Sequence, residues 1–302
     1  MSRRRRSERA RRVLPALLAL CLSLSAQAAP VEATDDAGSR ITLPRPARRV
    51  VSLAPSITEQ LFAIGAGEVV VGTSAFSDYP PQAGRIPVVA GAGGVDLERI
   101  ASLHPDLVVV WGSGYPPATQ DALRRLGVRV YVSEPASLES IASSMERLGE
   151  LTGASGARTQ ARQFRSTVRQ LRAQYAGRSP VRAFYQAWEQ PLMTLSGRQV
   201  ISEALALCSA RNVFDRLAPL APAVSPEAVI AADPQIILTD EPGGVDRGEL
   251  DFWKRYPFVA AVAKGQLYTL DSDRMSRPTP RMLQEVQTLC ERVEQARQAS
   301  HR

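Results

Sequence analysis

The sequence predicts an α/β protein of two similar lobes, and three observations predict it: a helix-and-strand phrase that occurs twice, strand and helix signals that alternate around each copy, and a helical stretch between the halves. Residues 95–110 line up without a gap on residues 224–239. In each copy a capping residue, Asp96 or Ser225, opens a short helix, and Pro105 or Pro234 ends it before an apolar, β-branched run. Each copy therefore reads as a short helix feeding a buried parallel strand. Each also has one acid in the first helical turn, Glu98 or Glu227, where the helix dipole favours an anion.

Around the first copy, strand signals at 41–43 and 49–53 read as a hairpin-like opening. A helix over 56–65, a strand at 68–73, a helix over 117–126 and a strand at 129–132 complete the alternation. Residues 154–175 are free of proline, rich in Gln and Arg, and carry Phe164, Val168 and Leu171 at helical spacing. They predict one helix of about 22 residues, roughly 33 Å long. Gly177 and Pro180 stop it, and a second lobe opens with a strand at 181–185. The expected division is a removable leader over 1–28, a first lobe over 29–151, a joining helix over 152–178, a second lobe over 179–297 and a tail over 298–302. The roughly 274 residues beyond the leader suit two lobes, because a single core stops growing at about 250–300 residues. One helix as the connection resists hinge closure, so the cleft between the lobes is expected to be nearly fixed and walled by loops at strand ends.

The first 28 residues combine an Arg-rich start, an apolar run from Val13 to about Leu24 and Ala26-Gln27-Ala28 as a cleavage site, the pattern of a secretory signal peptide. The doubled arginines also admit a twin-arginine route. Cys21 follows Leu18-Ala19-Leu20, whereas a lipoprotein site wants a small residue just before the cysteine. The formal charge of +7 is mostly this leader: it has seven arginines against one glutamate, and about +1 remains beyond it. A nucleic-acid surface therefore loses its support. Cys208 and Cys290 stay in the exported chain and are expected to pair in an oxidising compartment, the alternative being two inert buried thiols. No later stretch reaches the roughly 18 apolar residues of a membrane span.

Catalytic chemistry finds little to work with. The chain has two histidines, His104 at the end of the first repeat's helix and His301 in the polar tail, which excludes most triad and metal centres. No nucleophile elbow, P-loop or dinucleotide fingerprint follows a strand. No catalytic residue, metal ligand or resident cofactor is expected.

The run Arg49-Val50-Val51-Ser52-Leu53-Ala54-Pro55-Ser56-Ile57-Thr58-Glu59, the segment Ser77-Asp78-Tyr79-Pro80-Pro81, the two Glu-bearing repeats, the cysteine pair and residues 272–281 together resemble the helical-backbone substrate-binding proteins of iron-chelate, haem and cobalamin ABC importers. The likeness covers about residues 49–294 and is strongest to the cobalamin-binding branch. It implies two Rossmann-like lobes joined by a single long helix, a periplasmic location, a monomer, a corrinoid as transported ligand, and an ABC permease dimer with its ATPase complex as partner. Haem or an iron siderophore is the alternative ligand, with haem held through Tyr79, Tyr115 or a neighbour.

The resemblance also implies roles. Trp111 follows the apolar run at 107–110 and precedes Gly112-Ser113-Gly114, so it sits where a strand becomes a loop and can lie flat against a macrocycle. Phe76 stands where the family carries a ligand-touching Tyr, keeping the ring without the hydroxyl. Trp188 falls in a region where the family turns aromatics to the cleft. Asp273 and Arg277, with Arg274, Met275 and Ser276 between them, match positions that hydrogen-bond the amide fringe of cobalamin, Asp accepting and Arg donating. Ala92 and Ala221 stand where the cobalamin binders have tryptophans. Glu98 and Glu227 match acids that dock on the two permease subunits.

Overall fold

A computed structural model describes residues 29–300; the expected signal peptide and the last two residues lie outside them. The chain opens with an antiparallel pair, β1 (Val31–Thr34) and β2 (Arg40–Leu43). Asp35 builds the turn between them, its carboxylate accepting from the amides of Ala37 at 3.0 Å and Ser39 at 2.7 Å. This corrects the hairpin expected between 41–43 and 49–53. The turn-forming side chain lies upstream of 41–43, and Pro44 and Pro46 release the chain into the main sheet instead.

The first lobe continues as β3 (Val50–Leu53), α1 (Pro55–Ala63), β4 (Val70–Ser74), β5 (Val88–Gly91), β6 (Gly94–Val95), α2 (Leu97–Ser102), β7 (Leu107–Trp111), α3 (Pro117–Arg125) and β8 (Arg129–Ser133). Its sheet runs β6-β5-β4-β3-β7-β8, parallel except for β6. Next come α4 (Leu138–Thr152) and α5 (Ala157–Tyr175). The second lobe holds β9 (Val181–Tyr185), α6 (Val200–Leu207), β10 (Ala210–Asn212), α7 (Pro226–Ala232), β11 (Ile236–Glu241), α8 (Ala260–Ala263), β12 (Leu267–Asp271), α9 (Ser272–Met275) and α10 (Met282–Ser300). Its four parallel strands are ordered β10-β9-β11-β12.

Both copies of the repeated phrase fold as expected. Asp96 accepts from the Arg99 amide at 2.9 Å and caps α2, and Ser225 accepts from the Ala228 amide at 3.2 Å and caps α7. The equivalence reaches the backbone. His104 and Asp233, aligned and each just before the helix-ending proline, are both left-handed, with φ of 45° and 42°. Arg49, which leads β3, donates to the Leu103 carbonyl at 2.7 Å, and Arg182 in β9 donates to the Asp233 carbonyl at 2.9 Å. The Asp106 carboxylate and the Gln235 amide oxygen, again aligned, take the amides of Arg49 and Arg182 at 3.0 and 2.9 Å. One helix-end lock is thus closed twice.

The joining helix starts later than expected. Gly156 packs so closely on the carbonyl of Ile64 that a Cβ would lie 2.7 Å from its oxygen, and α5 begins only at Ala157. It is 19 residues long and spans about 28 Å. Its buried face is Ala157, Ala161, Phe164, Val168, Leu171 and Tyr175. It does not stand alone. α4, opened by a capping box between Ser137 and Ser140, folds back along it, and Arg165 of α5 binds both Glu139 and Glu146 of α4. The lobes are joined by the one long helix α5, braced along its length by α4 of the first lobe. One hydrophobic core runs from Ile57 and Leu61 in α1 through Leu148 and Phe164 to Leu205 and Leu289 in the second lobe. Two smaller cores cover the outer sheet faces, one around Val108 and Ile100, the other around Phe184 and Trp253. Cys208, just past α6, is bonded to Cys290 in α10, their Cα atoms 4.8 Å apart.

Candidate functional site

In both sheets the chain reverses direction across its first strand. From β3 it crosses to β4 on one side and later to β7 on the other; from β9 it crosses to β10 and later to β11. Each reversal leaves a crevice beyond the carboxyl ends of the flanking strands, the usual ligand position in open α/β sheets. The two crevices face each other, because the segment after β12 reaches Asp78, just past β4, and the middle of α1. Gln60 donates to the Pro278 carbonyl at 2.6 Å, and Thr279 donates to Glu59 at 2.5 Å. Arg281 grips both carboxylate oxygens of Glu59 at 2.8 and 2.7 Å. Glu59 is only 2% exposed, so this pair ties the lobes from within. Nearer the opening, Arg277 bridges Asp78 of the first lobe at 3.2 Å and Asp273 of the second at 2.7 Å.

Three expected aromatics stand exposed at strand ends. Trp111 closes β7 and is 47% exposed. Glu134, just past β8, accepts from its indole nitrogen at 3.2 Å and from the Ser113 amide at 2.6 Å. Gly114 folds beneath the ring, where a Cβ would lie 2.3 Å from Cε3. The indole is held in one orientation with a face open. Phe76, two residues past β4, is 80% exposed and left-handed at φ 64°, a conformation bulky residues avoid. A buried chain of hydroxyls holds it there: Ser52 to Thr58 at 2.7 Å, Thr58 to Ser77 at 3.2 Å, and Ser77 to Ser74 at 3.2 Å. An exposed ring on strained backbone, fixed by a buried network, is a sign of a binding role. Trp188 is 64% exposed, and its indole nitrogen donates to the Gln190 carbonyl at 3.0 Å.

The expected polar set is less uniform. Asp273 and Arg277 pair with each other, Arg274 pairs with Asp271 at 3.2 Å, and Ser276 donates to Asp240 at 2.5 Å. Met275 corrects the expectation: it is wholly buried in the main core and offers no surface to the cleft. Ala92 and Ala221 are exposed, so the space of two rings is open there. Glu134, Glu59 and Asp240 escaped sequence reasoning, although Glu134 and Asp240 lie at strand ends, the same signal that places Trp111. Glu98 and Glu227 are both solvent-exposed in the first turns of α2 and α7, and hydrogen bonds from its own amide and from Ser225 lower the pKa of Glu227.

A recess of about 440 Å³ opens on the second-lobe side of the cleft, between Trp188, Asp240 and Ser276. A larger hollow of about 850 Å³ lies on the flank of the first lobe, between α1 and residues 79–86, beside the Glu59–Arg281 tie and away from the strand ends. The recess is the better ligand position because it meets the switch point. Among the described residues no group of three His, Cys, Asp or Glu side chains is placed to hold a metal ion, and no helix is long and apolar enough to cross a membrane.

Two switch-point crevices face each other across the joining helix, and residues 50–274 match the family model described as periplasmic binding protein. The chain belongs to the periplasmic binding protein family. The periplasmic binding protein described here is 37% identical over 250 residues to the vitamin B12-binding protein of Vibrio parahaemolyticus, covering 82% of this chain and 90% of that one. Its likeness to the vitamin B12-binding protein of Yersinia pestis is 37% over 258 residues, 84% of this chain and 90% of the other. Among solved structures it is similar to the periplasmic vitamin B12 binding protein BtuF of Vibrio cholerae, with a TM-score of 0.76 and 36% identity, over 83% of this chain and 98% of that one. The periplasmic haem-binding protein RhuT from Roseiflexus shares the fold at a TM-score of 0.72 and 24% identity, over 83% and 99%.

Proposed function

We propose that this periplasmic binding protein captures cobalamin, vitamin B12, or a related corrinoid in the cleft between its lobes and delivers it to an inner-membrane ABC transporter without altering it. One observation carries the reading: Phe76, Trp111 and Trp188 present rings at facing strand ends, in a chain 37% identical to vitamin B12-binding proteins over nine-tenths of their length. Flat rings suit a macrocycle, and Asp273 with Arg277 suits its amide fringe once the ion pair opens to the ligand. Burial of Asp240 and the Arg281 tie belong to the frame of this site rather than to a reaction; the role is binding, not turnover. The Arg-rich leader supports export to the periplasm, by the general or the twin-arginine route. Glu98 and Glu227, placed alike by the repeat, would each meet basic residues on one subunit of a permease dimer that works with its ATPase.

Calorimetry of the exported chain with cobalamin tests the first part: the expected result is one-to-one binding, weakened by roughly 1–3 kcal/mol in Trp111→Ala. No heat with cobalamin and a Soret shift with haemin would overturn it in favour of a haem receptor. The second part is tested by Glu98→Arg with Glu227→Arg, which should keep ligand affinity and lose association with the transporter. Equal uptake by the double variant and the parent in reconstituted vesicles would return both acids to helix-end roles.

A further inference from the structure

The recess at the second-lobe switch point has an unusual lining. Four carboxylates, Glu189, Asp240, Glu241 and Glu249, stand on its wall, and neither lysine nor arginine lines it. Arg277 is engaged with Asp78 and Asp273 and Arg274 with Asp271, while Arg247 lies close enough to Glu241 to offset part of the effect of burial there. Gln186 is used at both ends, its amide nitrogen donating to the Glu249 carbonyl and its oxygen accepting from Trp253. At the floor lies Tyr185, 1% exposed, its hydroxyl turned toward Asp240 and Ser276 but without a hydrogen bond of good geometry to either. A buried phenol without a partner costs stability unless something else satisfies it. Burial raises the pKa of both Asp240 and Glu241, Asp240 within reach of Tyr185 and Ser276 and Glu241 beside Glu249.

We propose that this recess reads the edge of the ligand, taking a primary carboxamide and rejecting a carboxylate at the same place. The inference rests on the corrinoid reading above and names what the cleft selects within that class. An amide nitrogen carries two N–H donors for the carboxylates, and its carbonyl accepts a hydrogen bond from the Tyr185 hydroxyl. A carboxylate offers acceptors only and meets like charge from Asp240 and Glu241 in a confined space. The recess therefore favours macrocycles rimmed with amides over those rimmed with propionates. The Asp273–Arg277 pair, by contrast, contains both signs of charge and cannot make that distinction alone.

The test uses cobalamin and its separated monocarboxylates, in each of which one peripheral propionamide is hydrolysed. With the parent protein, at least one isomer should bind more than about thirtyfold more weakly than cobalamin, the scale of a buried charge left without a partner. In Asp240→Asn with Glu241→Gln, the same isomer should fall within about threefold of cobalamin. Tyr185→Phe keeps the ring in the core and covers the case in which the double variant does not fold; it should lower cobalamin affinity severalfold. Isomers all within threefold in the parent, discrimination unchanged in the double variant, or a Tyr185→Phe protein equal to the parent would each overturn the proposal while leaving corrinoid binding intact. A parent that binds no cobalamin overturns the corrinoid reading, and this one with it.

Discussion

In the first lobe the turn that displays Phe76 is pinned by neutral groups, the hydroxyls of Ser52, Thr58, Ser74 and Ser77, whereas the loop after β12 in the second is pinned by charges, Asp240, Asp271, Asp273 and the arginines that face them. The scaffolds beneath are the same: capped helix, left-handed residue, proline, strand, each locked by an arginine to a carbonyl at the helix end. One frame thus supports two kinds of edge, with two of the three displayed rings, Phe76 and Trp111, on the first lobe and Trp188 beside the clustered carboxylates of the second. What the repeat holds in common is position, and what differs between copies is the chemistry at the strand ends.

The sharpest way to break this comparison is at the point where the lobes exchange charge. Glu59→Ala leaves Arg281 and Thr279 without their buried partner and should cost about 3–5 kcal/mol in urea unfolding. A loss below about 1 kcal/mol would mean that water replaces the carboxylate, and that the charged edge is no more costly to open than a surface pair. The second lobe has a covalent tie that the first lacks. Cys208→Ala with Cys290→Ala should lower stability by roughly 2–4 kcal/mol, and intact protein under non-reducing conditions should yield one linked peptide pair by mass spectrometry.

A smaller effect separates display from stability. Phe76→Gly relieves a left-handed phenylalanine and should raise stability by about 1 kcal/mol, while cobalamin affinity falls. Gain in both would remove Phe76 from the binding face. The smallest effect is a pH profile. Burial raises the Asp240 pKa above its unfolded value, so the folded state is penalised above the folded pKa and relieved as pH falls toward the unfolded one. Asp240→Asn should therefore be more stable than the parent at neutral pH, with the margin narrowing as pH falls through the carboxylate range. A margin that widens on acidification would show that the ionised form is the stabilised one.

Much of the frame was legible in the chain because periodicity and punctuation record it. The repeat marked both helix–strand units, the caps at Asp96 and Ser225 took their expected amides, and β7, β8 and β9 fall where β-branched runs lie. α4 had a readable signal in Leu138, Ile141, Met145 and Leu148 behind Ser137, but nothing local records that it packs along α5 and braces the joining helix. At the site, the aromatics could be placed because strand ends can be read from sequence. The left-handed turn at Phe76 could not, since only the buried hydroxyls around it impose that backbone. Nor could Glu59 be matched to Arg281, 222 residues away, because no local pattern records a contact between lobes. Met275 failed for the opposite reason: its neighbours face the cleft, but a helical turn carries the residue itself into the core.

The core that passes through the waist has a thermal consequence. Two lobes with separate interiors would melt as two steps, one able to stay folded when the other is lost. Here the same apolar cluster includes side chains of α1, α4, α5, α6 and α10, so neither sheet keeps a covered inner face if the other opens. The molecule should therefore unfold in a single calorimetric transition, with an enthalpy equal to the van't Hoff value. Damage to one end is then felt at the other: a cavity cut beneath the second sheet lowers the melting temperature of the first by the same number of degrees.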